Sequence, residues 1–323
     1  MQYFLFIIGF VLLIKGADLL VEGGSSIGKK FKLSDLVIGL TIVSFGTSLP
    51  ELLVNLVASF SGSSELAVGN VLGSNVANVL LILGVSALIC PLPINRNTYF
   101  SEIPFSLIAT LLVGFLANAN LEIGFAGETT GLYISRFDGY ILLFFFVLFL
   151  GYIYIVAKQG NGSSMEAENV SEVSWGKSVG YIILGIIGLY YGGQWVVEGA
   201  IIVARKFNMS ETFIGLTIVA FGTSLPELVT AIIAAVRKNT DIAVGTAIGS
   251  NIFNLLWILG ISATIKPLEF YIISNMDLFM IIIASTMLIM AVIIGKRPII
   301  SRWEGFWFVL AYGFYMVFLF NRG

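Results

Sequence analysis

Histidine is absent from this chain of 323 residues, and cysteine occurs once, at Cys90. No disulfide can close within one copy, and a zinc site built from Cys and His is excluded. Charge is scarce as well. Only 11% of residues are Asp, Glu, Lys or Arg, against about 25% in a soluble domain. A net charge of −2 gives nucleic acid nothing to hold. Without His, and with no Ser–Lys or paired-Asp arrangement, acid–base or nucleophilic catalysis has no recognisable centre, so the chain is not expected to be an enzyme.

What is abundant is apolar: 58% of the chain, with 35 glycines. That composition places the chain in the lipid bilayer, in helices that pack closely and break in places. A span needs about 20 mostly apolar residues. Ten candidates are read at 2–28, 36–59, 66–90, 101–118, 138–157, 178–204, 212–236, 242–265, 276–294 and 304–320. The N-terminus is apolar from its second residue and lacks a basic region or a cleavage site before Lys15, so it is read as a retained first helix. The stretch 158–177 is polar and rich in Gly, Ser and Glu, and reads as a short flexible linker. It divides the chain into 1–157 and 178–323, five spans each.

The two halves carry the same sentence. Residues 38–52 read IGLTIVSFGTSLPEL and residues 214–228 read IGLTIVAFGTSLPEL, differing only at Ser44 and Ala220. Without a gap, VGNVLGSNVANVLLILG (68–84) matches VGTAIGSNIFNLLWILG (244–260). Five spans per half is an odd number, so the second copy enters the membrane from the opposite side, an inverted repeat. The basic residues orient it. Lys29, Lys30, Lys32, Arg96, Lys158, Lys177, Arg237, Lys238, Lys296, Arg297 and Arg302 fall on one side, and Arg136, Arg205, Lys206, Lys266 and Arg322 on the other. The positive-inside rule then puts both termini outside and the linker in the cytoplasm.

On a helix, Ser44, Thr47, Ser48 and Glu51 share one face. Pro50 lacks an N–H and collides with the carbonyl four residues back, so the helix should kink and free carbonyls near Ser44–Gly46. The second copy repeats this with Ala220, Gly222, Thr223, Ser224, Pro226 and Glu227. Asn70, Ser74 and Asn78 form a further polar stripe, as do Thr246, Ser250 and Asn254, while Asn75 and Asn251 point about 100° away and are read as packing. Every available donor atom is oxygen, which suits hard cations such as Ca²⁺ and Na⁺ and not soft transition metals. A carboxylate at the bilayer centre costs about 2.5–3.5 kcal/mol or more. No Lys or Arg lies near Glu51 or Glu227 within these spans, so a bound cation is their natural partner.

GTSLPE followed by GSN-x-x-N, twice, in two five-helix halves, resembles the alpha-repeats of the sodium/calcium exchangers of the calcium/cation antiporter superfamily, in a form without a regulatory domain. The resemblance covers nearly the whole chain. It implies ten helices, with the second, third, seventh and eighth broken around a midplane site, and exchange of Na⁺ for Ca²⁺ by alternating access. Carried over by position, the implied ligands are Thr47, Ser48, Glu51, Ser74 and Asn78, then Thr223, Ser224, Glu227, Ser250 and Asn254. The backbone carbonyls of Ser44 and Ala220 are implied for Na⁺. Some relatives place Asp where this chain has Asn254, so this site carries two formal charges. The expectation is an inner-membrane antiporter acting as a monomer, with no cofactor beyond its transported ions. The alternatives are an exchanger of the same fold using H⁺ or another divalent ion, and a passive cation channel.

Two lesser signals complete the reading. GGSSIGKK (23–30) nearly spells a phosphate-binding loop but follows an apolar helix and ends in Lys30, so no nucleotide is expected. Lys15, Asp18 and Glu22 lie in the first span, and a Lys15–Asp18 pair with an interfacial Glu22 is expected.

Overall fold

The computed structural model describes residues 2–119, 131–159, 174–207, 220–294 and 298–322. Apolar runs punctuated by short polar turns give twelve described helices. They are α1 (Gln2–Phe31), α2 (Asp35–Thr47), α3 (Leu49–Ser61), α4 (Ser64–Ile89), α5 (Thr98–Ala119), α6 (Arg136–Gln159), α7 (Trp175–Lys206), α8 (Ala220–Gly222), α9 (Leu225–Val236), α10 (Thr240–Ile265), α11 (Ser274–Ile294) and α12 (Arg302–Arg322). Among the described residues, 8 helices are long and apolar enough to cross a membrane, and α2 with α3 makes one further span bent by 46°. The protein is an all-helical membrane protein.

Of the seventh candidate span, 212–236, α8 and α9 are described and 212–219 lie outside the described residues. Of the linker read at 158–177, Lys158 and Gln159 end α6 and Trp175–Lys177 begin α7, while 160–173 lie outside the described residues. The GGSSIGKK stretch is helical within α1, so no phosphate loop forms.

Burial sorts the helices into centre and rim. The apolar window of α10 is 94% buried and that of α4 is 72%, against 17% for α12 and 22% for α6. A helix buried all round cannot keep a polar face for solvent. The Ser, Thr and Asn residues of α4 and α10 therefore face protein. The third and eighth spans, expected to be broken, are continuous; each carries one π-helical stretch instead, at Ala77–Ile82 and Phe253–Ile258. A π turn takes in an extra residue without losing the helix, and such turns gather at functional sites.

Among the contacts that tie the halves together, two lie away from the paired acids. First, α1 packs against α7 through Gly9, Gly16 and Gly23 on one side and Gly185, Gly192 and Gly199 on the other. A Cβ at Gly16 would lie 2.7 Å from the Leu189 amide nitrogen and 2.9 Å from the Gly185 carbonyl oxygen, so only glycine lets these backbones meet. Second, four two-residue strands cross between the halves: β1 (Leu92–Pro93), β2 (Tyr133–Ile134), β3 (Leu268–Glu269) and β4 (Ile299–Ile300). β1 pairs antiparallel with β4, and β2 with β3. Each ribbon is extended by one bond, Ile94 N–H to the Pro298 carbonyl at 2.7 Å and Phe270 N–H to the Leu132 carbonyl at 2.9 Å.

The helices that follow β2 and β4 start alike. Ser135 N–H donates to Asp138 Oδ2 at 2.8 Å, and Ser301 N–H to Glu304 Oε2 at 2.9 Å. Both are capping boxes that satisfy otherwise orphaned donors at a helix start. The expected Lys15–Asp18 pair does not form. Arg237, at the end of α9, takes Asp18 as a partner and lies 3.6 Å from Glu22.

The close α1–α7 approach gives a direct test. Gly16→Ala forces two backbones apart and should lower the melting temperature in detergent, the overpacking cost being about 1–3 kcal/mol. Gly151→Ala, which meets nothing within 4 Å, should leave it unchanged.

Candidate cation site

The second span breaks at Ser48, whose φ of −84° and ψ of 5° lie outside the helical run. Pro50 occupies the first turn of α3, where its missing N–H is tolerated. It leaves the Gly46 carbonyl without its helical donor. The Ser44 carbonyl, expected to be loosened, is not: it accepts from Ser48 N–H at 3.0 Å and from Thr47 Oγ1 at 3.3 Å. In the second copy, Thr223 and Ser224 separate α8 from α9, and Pro226 again sits in the first turn.

Glu51 and Glu227 stand in the first turns of α3 and α9, which for Glu51 is near the middle of the bent span that α2 and α3 form. Each is only 1% exposed. Unsatisfied N–H groups at a helix start carry partial positive charge, worth about 0.3–1 kcal/mol to a nearby anion. That offsets part of the burial cost and leaves the rest.

The halves interdigitate around these carboxylates. Ser48 Oγ donates to Glu227 Oε1 at 3.1 Å and lies 3.1 Å from Ser250 Oγ. The corresponding contact in the other copy is Ser224 Oγ to Ser74 Oγ, at 3.2 Å. The π stretch holding Asn254 packs on α3, and the one holding Asn78 packs on α9. Ser48 of the first half thus reaches the carboxylate of the second, and each π stretch lies against the carboxylate helix of the other half.

Among the described residues, four buried oxygens at this crossing have no hydrogen-bond partner: Glu51 Oε2, Glu227 Oε2, Asn78 Oδ1 and Asn254 Oδ1. They form two matched pairs, one from each repeat. An unsatisfied buried acceptor costs about 1–3 kcal/mol, and more when charged. Thr246 Oγ1, on the same face of α10 as Ser250, is a further buried oxygen without a partner.

The other expected site residues divide. Thr47 turns its hydroxyl to the Ser44 carbonyl, and Thr223 donates to Asn70 Oδ1 at 3.2 Å. Ser44 is fully buried, and its hydroxyl donates to the Gly39 carbonyl at 2.7 Å and lies 3.1 Å from the Thr246 carbonyl. Ala220 begins α8.

Two site neighbours escaped the sequence reading. Asn251, read as packing, accepts from Asn78 Nδ2 at 3.0 Å and so aims the Asn78 carbonyl oxygen. Asn55 accepts from Asn70 Nδ2 at 2.7 Å and donates to the Ala67 carbonyl at 3.0 Å, fixing Asn70 between α3 and α8. Asn75 donates to the Val71 carbonyl of its own helix at 2.6 Å and leaves its Oδ1 buried without a partner among the described residues.

Carboxylate, hydroxyl, amide and carbonyl oxygens make a donor set for a hard, weakly directional cation. Among the described residues no group of three or more His, Cys, Asp and Glu side chains comes together, so a compact transition-metal site is not what these residues build.

Comparison with known proteins agrees with this chemistry. The family model for sodium/calcium exchanger protein matches residues 1–155 and 177–321. A putative antiporter, CaxA, from Alkalimonas amylolytica is 36% identical, covering 98% of this chain and 97% of that protein. The sodium/calcium exchanger MaX1 of Methanosarcina acetivorans is 34% identical, covering 99% and 98%. The solved structure of the sodium-calcium exchanger NCX_Mj, soaked with Na⁺ and Ca²⁺, superposes with a TM-score of 0.79 at 32% identity, covering 98% of this chain and 97% of that one. The chain belongs to the sodium/calcium exchanger family.

Proposed function

We propose that this protein is a Na⁺/Ca²⁺ antiporter of the inner membrane, working by alternating access. In this reading it has ten spans in two inverted five-helix halves, 1–157 and 178–323, joined by a cytoplasmic linker, with both termini outside. One structural relation supports the inversion. β1 and β3 are equivalent by the sequence repeat, and each pairs with the strand that precedes the last helix of the other half. A single twofold relation between the halves produces both pairings.

The observation that carries the function is the set of four buried, unpartnered oxygens on Glu51, Glu227, Asn78 and Asn254. A cation is the partner they lack. Ser48, Ser74, Ser224 and Ser250 complete an oxygen shell from both halves. Thr47, Thr223 and the carbonyls of Ser44 and Ala220 border it and serve the Na⁺ ions. One Ca²⁺ or two Na⁺ neutralise Glu51 and Glu227 equally, so the ions compete for one electrostatic well. The empty site, with two bare carboxylates, resists crossing, whereas either loaded form crosses. Exchange follows from that difference.

The reading is tested by ⁴⁵Ca²⁺ uptake into proteoliposomes under imposed Na⁺, K⁺ and pH gradients. An outward Na⁺ gradient should drive uptake that a protonophore does not abolish. Collapse of uptake by the protonophore alone assigns the coupling to H⁺ instead, and single-channel conductance would make the protein a channel. Glu51→Gln and Glu227→Gln should each reduce Na⁺-driven uptake to background; undiminished uptake in either variant refutes the site. Asn254→Asp adds a third charge, so Ca²⁺ no longer neutralises the site. It should lower the apparent KM for Ca²⁺ while lowering kcat, because the loaded form then carries charge across.

A further inference from the structure

The two halves are built to one plan, yet they are not held shut alike. The turn Arg237–Lys238–Asn239 joins α9 to α10 and marks one face of the molecule; the turn at Gly62 joins α3 to α4 and marks the other. Near the first face, α2 lies directly on α10. A Cβ at Gly39 would lie 3.0 Å from Gly245 Cα. Across this contact the single Ser44 hydroxyl proton reaches two acceptors, the Gly39 carbonyl of its own helix at 2.7 Å and the Thr246 carbonyl of α10 at 3.1 Å, and the bond to Thr246 is the one that crosses between the halves. The repeat counterpart of Ser44 is Ala220, which has no hydroxyl.

A second contact lies at the same face. Arg237 pairs with Asp18 of α1 and reaches Glu22 at 3.6 Å. It thereby ties the carboxylate-bearing α9 to the helix that runs along α7. The counterparts of Arg237, Asp18 and Glu22 are Ser61, Gln194 and Glu198. Ser61 carries no charge, and Gln194 donates to Glu198 within its own helix at 3.0 Å. The counterpart positions on the Gly62 side carry neither the hydroxyl of Ser44 nor the positive charge of Arg237.

We propose that Ser44 and Arg237 are positioning residues that hold the Arg237 face closed, biasing the transporter towards the state in which its site opens to the Gly62 face. This rests on the antiport reading above. The one difference in the repeated sentence is then a difference in gating. Each contact raises the free energy of the opposite state without touching an ion through its side chain, so each sets how often that state is visited.

The test uses a reporter on the rarely opened side. In a Cys90→Ser background, Thr246→Cys places a thiol on the buried face of α10 and keeps the backbone carbonyl that Ser44 approaches. A membrane-impermeant maleimide is applied to each face in oriented vesicles. Ser44→Ala and Arg237→Gln should each speed labelling from the Arg237 face about fivefold, the population change that about 1 kcal/mol of lost hydrogen bond gives. The apparent KM for Ca²⁺ at that face should fall with it, because a larger fraction of molecules is competent to bind there. Unchanged labelling in both variants overturns the proposal, as does an equal rise from both faces, which a merely loosened fold would give. Arg237→Gln alters a partly exposed side chain and reads the answer even where Ser44→Ala fails to fold. Labelling requires no transport, so a failure of Na⁺/Ca²⁺ exchange is read separately from a failure of the latch.

Discussion

Two carboxylates stand buried in the interior of a membrane protein, with no Lys or Arg near them along their own spans, and the rest of the molecule answers to that fact. Glu51 and Glu227 are almost completely buried. Within lipid such groups are tolerated only where protein or an ion answers them. The bend at Ser48 and the interruption at Thr223–Ser224 set a helix start behind each carboxylate. The continuous α4 and α10 bring hydroxyls and amides to the same place. These helices are buried because two rows of polar groups must be kept from lipid, and the outer helices are apolar because their task is to cover them.

Interdigitation makes the site a joint product. Ser48 of the first half serves Glu227 of the second, and each π stretch packs on the carboxylate helix of the other half. Neither half closes a site alone. The halves must therefore be held in register while leaving room for movement, and the structure divides the work. Crossed ribbons fix the ends of the flanking helices, whereas the glycine seam between α1 and α7 has few side chains to interlock. A surface of backbone against backbone gives close contact with little to hold it at one position.

Much of this was legible in the sequence. The duplicated sentence, the paired acids and the proline beside each are stated outright in residues 38–52 and 214–228. Other parts were hidden for physical reasons. A π turn has no composition of its own, so the unbroken course of α4 and α10 could not be read from their residues. Asn251 looked like packing because its angle was measured around one isolated helix, while its role comes from Asn78 on another. The capping boxes Ser135–Asp138 and Ser301–Glu304 were visible but sit at a different spacing from the main repeat, so a fixed-offset comparison passes over them. The Arg237–Asp18 pair joins residues far apart in the chain, and Lys15, three residues from Asp18, offered the nearer and wrong partner.

The crossed ribbons also bear on how the chain is made. β1 emerges early in synthesis, yet its partner β4 precedes only the last helix. The edge of Leu92–Pro93 therefore waits, unpaired, while almost the entire second half is translated and inserted. Pairings so distant in sequence are slow to form, and an exposed edge invites the wrong neighbour. Brevity is the safeguard: two residues with a proline at the second position offer little to a stray strand. A nascent chain arrested before β4 holds all its candidate ligands and only one of its two ribbons, β2–β3.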